Sequence, residues 1–190
     1  MSTASNAEMS AEKRSESVLT SGARSDFQVT SEAFALGKTI PPKYTGEGEN
    51  LSPPLVLGGV PDGTRAFALI ASDPDAPSGA WHHWVLYNVP GDVTALPEGL
   101  PRQANLQVPA GARQGLNSWP EDNVGYRGPM PPPGSGPHRY YFSVYALDAP
   151  VELAPAEATA EALERAIAGH VLAEAQTMGI YERKRIPPKG

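Results

Sequence analysis

Three of the chain's four histidines stand where Gly/Pro-rich segments run into strand-like ones. Asp73-Pro74-Asp75-Ala76-Pro77 is followed closely by Trp81-His82-His83-Trp84. Further on, Gly125-Tyr126-Arg127-Gly128-Pro129-Met130-Pro131-Pro132-Pro133-Gly134-Ser135-Gly136-Pro137 leads into His138-Arg139-Tyr140. Stiff loops feeding strands hold polar side chains and free backbone N–H groups on a rim, where binding sites are commonly built. A neutral imidazole donates one hydrogen bond and a protonated one two, and a phenol donates one. Glycine lets the backbone approach closely. Such a donor set suits a phosphate-type anion or a phosphorylated headgroup, with Trp81 as an apolar wall. Asp73 and Asp75 need a separate reason beside an anion. A carboxylate can orient an imidazole and stabilise its charged form. Equally, Asp-Pro-Asp is turn chemistry that caps backbone N–H groups.

The strands that carry these residues decide which of them can meet. Side chains alternate across a strand. In the first, Trp81, His83, Val85 and Tyr87 are expected on one face, and His82, Trp84, Leu86 and Asn88 on the other. In the second, His138, Tyr140, Phe142 and Val144 share a face. A single histidine at a strand end reads as locally satisfied. Two such units in one small domain point to a shared site.

Other chemistries fit less well. No Gly-x-Ser-x-Gly elbow is present, and nothing marks a serine as activated, so no enzymatic turnover is expected. Two histidines and an aspartate could make a facial metal triad, which is the alternative reading, but no His-x-Asp/Glu spacing supports it. No metal and no cofactor is assigned.

At 190 residues there is room for one good core. Lysine plus arginine is 15 against 21 acids, a net charge of −6, which argues against a nucleic-acid or anionic-membrane binder. Cysteine is absent, so disulfides, thiolate nucleophiles and cysteine–zinc sites are excluded, and a cytoplasmic location is expected. Residues 1–24 are rich in Ser, Ala and Glu and lack an apolar stretch; they read as a disordered tail and not as a secretory signal. Residues 25–190 read as one domain. No apolar run is long enough to span a bilayer.

The chain carries 21 prolines and 19 glycines, clustered between short apolar segments as turns are. Strands are expected near 27–32, 55–57, 65–72, 82–89 and 138–147, and a weaker one near 103–108. Residues 159–178 have helical composition, with Leu163, Ile167 and Val171 at i, i+4, i+8. Thr159 is the expected N-cap without a capping box, and Gly169 is expected to divide the stretch into two helices. The fold class that follows is mainly β: a two-sheet antiparallel sandwich with peripheral C-terminal helices.

The paired loop-and-histidine segments resemble the phosphatidylethanolamine-binding protein family, also called the Raf kinase inhibitor family. Gly48-Glu49-Asn50-Leu51-Ser52-Pro53-Pro54-Leu55, Gly59-Val60-Pro61 and His170-Val171-Leu172-Ala173-Glu174-Ala175 are similar to its bacterial and archaeal branch. The resemblance runs over about residues 25 to 183. It implies the same sandwich and an anion pocket lined by Asp73, Trp81, His83, Gly128, Pro131, His138 and Tyr140; the residues themselves add Asp75. It also implies an inhibitor or regulator of kinases or proteases. Expected partners are thus a small anionic ligand, a protein partner, or a second copy in a homodimer. Met130 departs from the family pattern, which tends to have glycine or cysteine there, and it narrows the expected pocket.

Overall fold

The computed structural model describes residues 26–185. The tail expected over 1–24 lies outside them, as do the last residues of the expected domain. The elements in chain order are β1 (Gln28–Thr30), β2 (Leu55–Gly58), β3 (Ala66–Asp73), β4 (Trp81–Pro90), β5 (Ala95–Leu96), β6 (Arg113–Gln114), β7 (His138–Leu147), α1 (Ala160–Ile167) and β8 (Val171–Tyr181). They form a three-stranded sheet, β1-β2-β5, and a five-stranded sheet, β6-β4-β3-β7-β8, with every pair antiparallel. Among the described residues no helix is long and apolar enough to cross a membrane.

β3 is the centre of the large sheet, and its apolar run is buried on both sides. Phe67, Leu69 and Ala71 face the small sheet, joining Val29, Leu55, Leu57 and Leu96 in one core. Ala66, Ala68 and Ile70 face the other way and pack with Leu163 and Ile167 of α1 in a second core. A strand covered on both faces reads as a continuous apolar run, as Ala66–Ala71 does. α1 is capped as its sequence suggests: the Thr159 hydroxyl accepts from the Ala162 N–H, 3.2 Å away.

Beyond α1 the structure departs from the helical expectation. Residues 171–181 form a strand paired with β7 from His138↔Tyr181 to Leu147↔Val171. Gly169, at φ +85°, turns the chain from helix into strand instead of separating two helices. Leu163 and Ile167 reach the core as expected, but Val171 is exposed. The Ala/Glu-rich composition suggested helix, yet Ala173, Ala175, Thr177 and Tyr181 are buried with a period of two. Long-range pairing with β7 outweighs weak local propensity. Among the described residues the peripheral layer therefore holds one α-helix. The strand expected near 103–108 is also not formed; only an isolated bridge joins Asn105 to Arg113.

Candidate ligand-binding site

Topology brings the expected residues together. β3 lies between β4 and β7 and runs antiparallel to both, so its last residue, Asp73, sits beside the first residues of each. The ends of three neighbouring strands thereby share one rim. Asp73, Trp81, His83, Pro131, His138 and Tyr140 line a cavity of about 210 Å³ there.

His83 reaches this cavity by a route that simple alternation misses. The register runs Ala71↔Trp84 and then Ser72↔His82, so His83 is an extra residue, a β-bulge. Trp81 and His83 do share the cavity, as expected. Val85 and Tyr87, expected beside them, belong to the core under α1, whereas Trp84 and Leu86 face the small sheet. His82 is turned toward α1, its Nε2 3.3 Å from Glu161 Oε1. In unbroken alternation counted back from Trp84, His82 would face the cavity, and Trp81 and His83 would face the helix. β7 has no such irregularity in its first half, and His138 and Tyr140 share a face as their spacing predicts.

The polar atoms are tied down in a definite pattern. Asp73 is 3% exposed; its Oδ1 accepts from the Asp75 N–H at 2.8 Å, and its Oδ2 accepts from His138 Nδ1 at 2.7 Å. His138 Nε2 lies 3.0 Å from Ser135 Oγ. His83 Nδ1 donates to the Arg127 carbonyl at 2.6 Å, and the Arg127 N–H donates back to the His83 carbonyl at 2.9 Å. Burial pushes the His83 imidazole down to about 4, against smaller raising effects from the Arg127 carbonyl and Asp73. The Tyr140 hydroxyl is buried without a partner among the described residues. Burial, then the nearby Asp73 charge, raises its pKa well above the usual phenol value, so it stays a donor.

Two expected residues lie outside the cavity wall. Asp75 forms a clamp on Arg139, accepting from its Nε at 2.9 Å, its Nη2 at 2.7 Å and its backbone N–H at 2.9 Å. The Arg139 hydrogen bonds hold the Asp75 carboxyl at about 2. Gly128 donates its N–H to Asn50 Oδ1 at 2.7 Å, and a Cβ there would meet the Tyr44 carbonyl at 2.2 Å. It thus lets the loop seat against 44–45 and place Pro131. Met130 is on the cavity wall.

Sequence reasoning missed Trp119. Its ring stands edge-on to His83 at 5.0 Å and to Trp81 at 5.3 Å, and it lines the cavity. It sits in a loop with no periodic pattern, so only its rarity, as one of three tryptophans, marks it in the sequence.

The wider comparisons now have a geometry to attach to. The phosphatidylethanolamine-binding protein model matches residues 30–182. A UPF0098 protein of Methanothermobacter thermautotrophicus is 49% identical over 157 residues, covering 83% of this chain and 99% of its own. The chain belongs to the phosphatidylethanolamine-binding protein family. Solved members of similar structure include YbcL of Escherichia coli, with a TM-score of 0.75 at 35% identity, covering 83% of this chain and 99% of its own. CT736 of Chlamydia trachomatis matches with a TM-score of 0.73 at 39% identity, covering 84% of this chain and 99% of its own.

Two reactive arrangements can be weighed on this family scaffold. Ser135, His138 and Asp73 follow the atom order of a hydrolase triad. However, the Ser135 hydroxyl donates to the Pro132 carbonyl at 2.9 Å, and Ser135 is not part of the cavity wall. The serine fixes the imidazole instead of facing a substrate. The alternative metal triad fares no better: among the described residues no three His, Cys, Asp or Glu side chains are grouped to hold a metal ion.

Proposed function

We propose that this protein binds a small phosphate-type anion in the cavity at the rim of β3, β4 and β7, without turning it over, and that occupancy regulates a protein partner. The observation that carries the reading is the hydroxyl of Tyr140, a residue 2% exposed, which has no hydrogen-bond partner among the described residues and sits on the wall of a cavity sized for a headgroup. A buried donor left unpaired is costly, and a bound oxygen relieves that cost. Trp81 and Trp119 supply apolar contact for whatever the anion is attached to.

Calorimetric titration with inorganic phosphate, chelator present, tests this. Phosphate is expected to bind, and Tyr140→Phe to weaken binding roughly tenfold with the fold retained. Absence of binding at millimolar phosphate, or an unchanged affinity in the variant, sinks the reading.

A further inference from the structure

We propose that the outer edge of β8, from Glu174 to Thr177, takes up an extended basic segment of another protein as an added strand. This surface is separate from the cavity and does not depend on what the cavity binds. Glu174 pairs with Tyr145, seven residues along β7 from His138, which is roughly 23 Å of strand.

β8 ends one side of the five-stranded sheet, where β7 is its only strand neighbour. Toward its C-terminal end the outer side is covered. The Met178 carbonyl accepts from the Gly37 N–H at 2.7 Å; the Ile180 N–H donates to the Lys38 carbonyl at 2.9 Å, and the Ile180 carbonyl accepts from the Ile40 N–H at 2.8 Å. Met178 and Ile180 thus turn their backbone groups away from β7, and alternation gives Glu174 and Gln176 the same direction. There no chain segment among the described residues meets their N–H and C=O groups. An open row of such groups is a template for a further strand.

The surroundings say what that strand should carry. A groove of about 680 Å³ runs beside the edge, walled in part by Val29, Phe34, Leu36, Ala175 and Thr177. Side chains of an added strand alternate as those of β8 do. Those level with Ala175 and Thr177 enter the groove, and the one level with Glu174 lies beside its carboxylate. The groove suits apolar side chains, and the position between them suits a cation. Glu174 and Glu164 both stand near Tyr145, and neither forms an ion pair among the described residues. A second copy does not bring the cation. Antiparallel self-pairing over this stretch sets Glu174 opposite Leu172, Glu174 or Gln176, and each copy carries a net charge of −6.

The test is an NMR titration of the ¹⁵N-labelled full chain with the capped peptide Val-Thr-Val-Lys-Val. In antiparallel register its lysine falls opposite Glu174 and its valines face the groove. The Glu174 and Gln176 amides should shift, and their hydrogen exchange should slow. Replacing the peptide's lysine by glutamate should weaken binding roughly fivefold, and Glu174→Lys in the protein should reverse that preference. Methylating the backbone nitrogen of the peptide's lysine keeps the charge but removes a ladder donor, and should abolish binding. Absence of binding at millimolar peptide, shifts confined to other regions, equal affinity for the two peptides, or indifference to the N-methyl group overturns the proposal. So does slow exchange at Glu174 and Gln176 in the free chain. Slowing that grows with protein concentration assigns the edge to a second copy, and slowing independent of concentration assigns it to other residues of the same chain.

Discussion

The starts of β4 and β7 look alike and behave differently. Each carries within its first three residues a histidine that is 4% exposed, follows a Gly/Pro-rich loop and faces the same cavity. His83 is bonded to a backbone carbonyl and His138 to a buried carboxylate. Burial holds His83 neutral against the raising effect of its carbonyl partner. The carboxylate and Ser135 take both nitrogens of His138. The partner of each imidazole, and not its exposure or its place on a strand, tells the two apart.

The largest effect that would test this contrast lies at Asp73. Asp73→Ala strips His138 of its buried acceptor and should lower stability by about 3–5 kcal/mol. For a domain of this size that is about 10 °C in Tm, read in a thermal melt. A loss no larger than that of an exposed residue would mean that the pair is as solvated as a surface one.

Acid should act on the other histidine. The unfolded imidazole titrates near 6.5 and the folded His83 near 4. Between these values the unfolded chain takes up the proton more readily, so stability must fall as pH falls. The full loss is about 3 kcal/mol, reached near pH 4. Urea melts from pH 7 to 4.5 on the parent and on His83→Gln isolate the ring, since the variant lacks this slope. Parallel slopes in the two proteins would show that His83 is not the buried neutral group.

The smallest effect belongs to Asp75→Asn. Its clamp on Arg139 is largely exposed, and such pairs contribute little. Tm should move by no more than about 3 °C. The carboxyl is held at about 2, so its contribution is present above 3.8 and is lost only as pH falls through 2, below the range in which His83 acts. A drop as large as that for Asp73→Ala would erase the distinction between wall and rim.

What the sequence makes legible depends on how regular the local backbone is. β7 is regular where it enters the cavity, so the shared face of His138 and Tyr140 can be read by counting. β4 is not, and counting places Trp84 opposite His83 when both lie on the inner side. Asp75 illustrates a different limit. An Asp-Pro-Asp run gives no means of telling which carboxylate turns inward, because Arg139 is 64 residues away in the chain. Trp119 and the strand at 171–181 are set by contacts with distant segments, which no local window contains.

The bulge at His83 has a meaning for how such a cavity can diversify. One residue, inserted or removed in one strand, exchanges which of four consecutive aromatic side chains (Trp81, His82, His83 and Trp84) are presented inward, with no substitution at any of them. Chain length at this point is thus a variable independent of residue identity. Two relatives sharing the same Trp-His-His-Trp run, but differing by a single residue in the β3–β4 pairing, would offer different chemistry from identical letters.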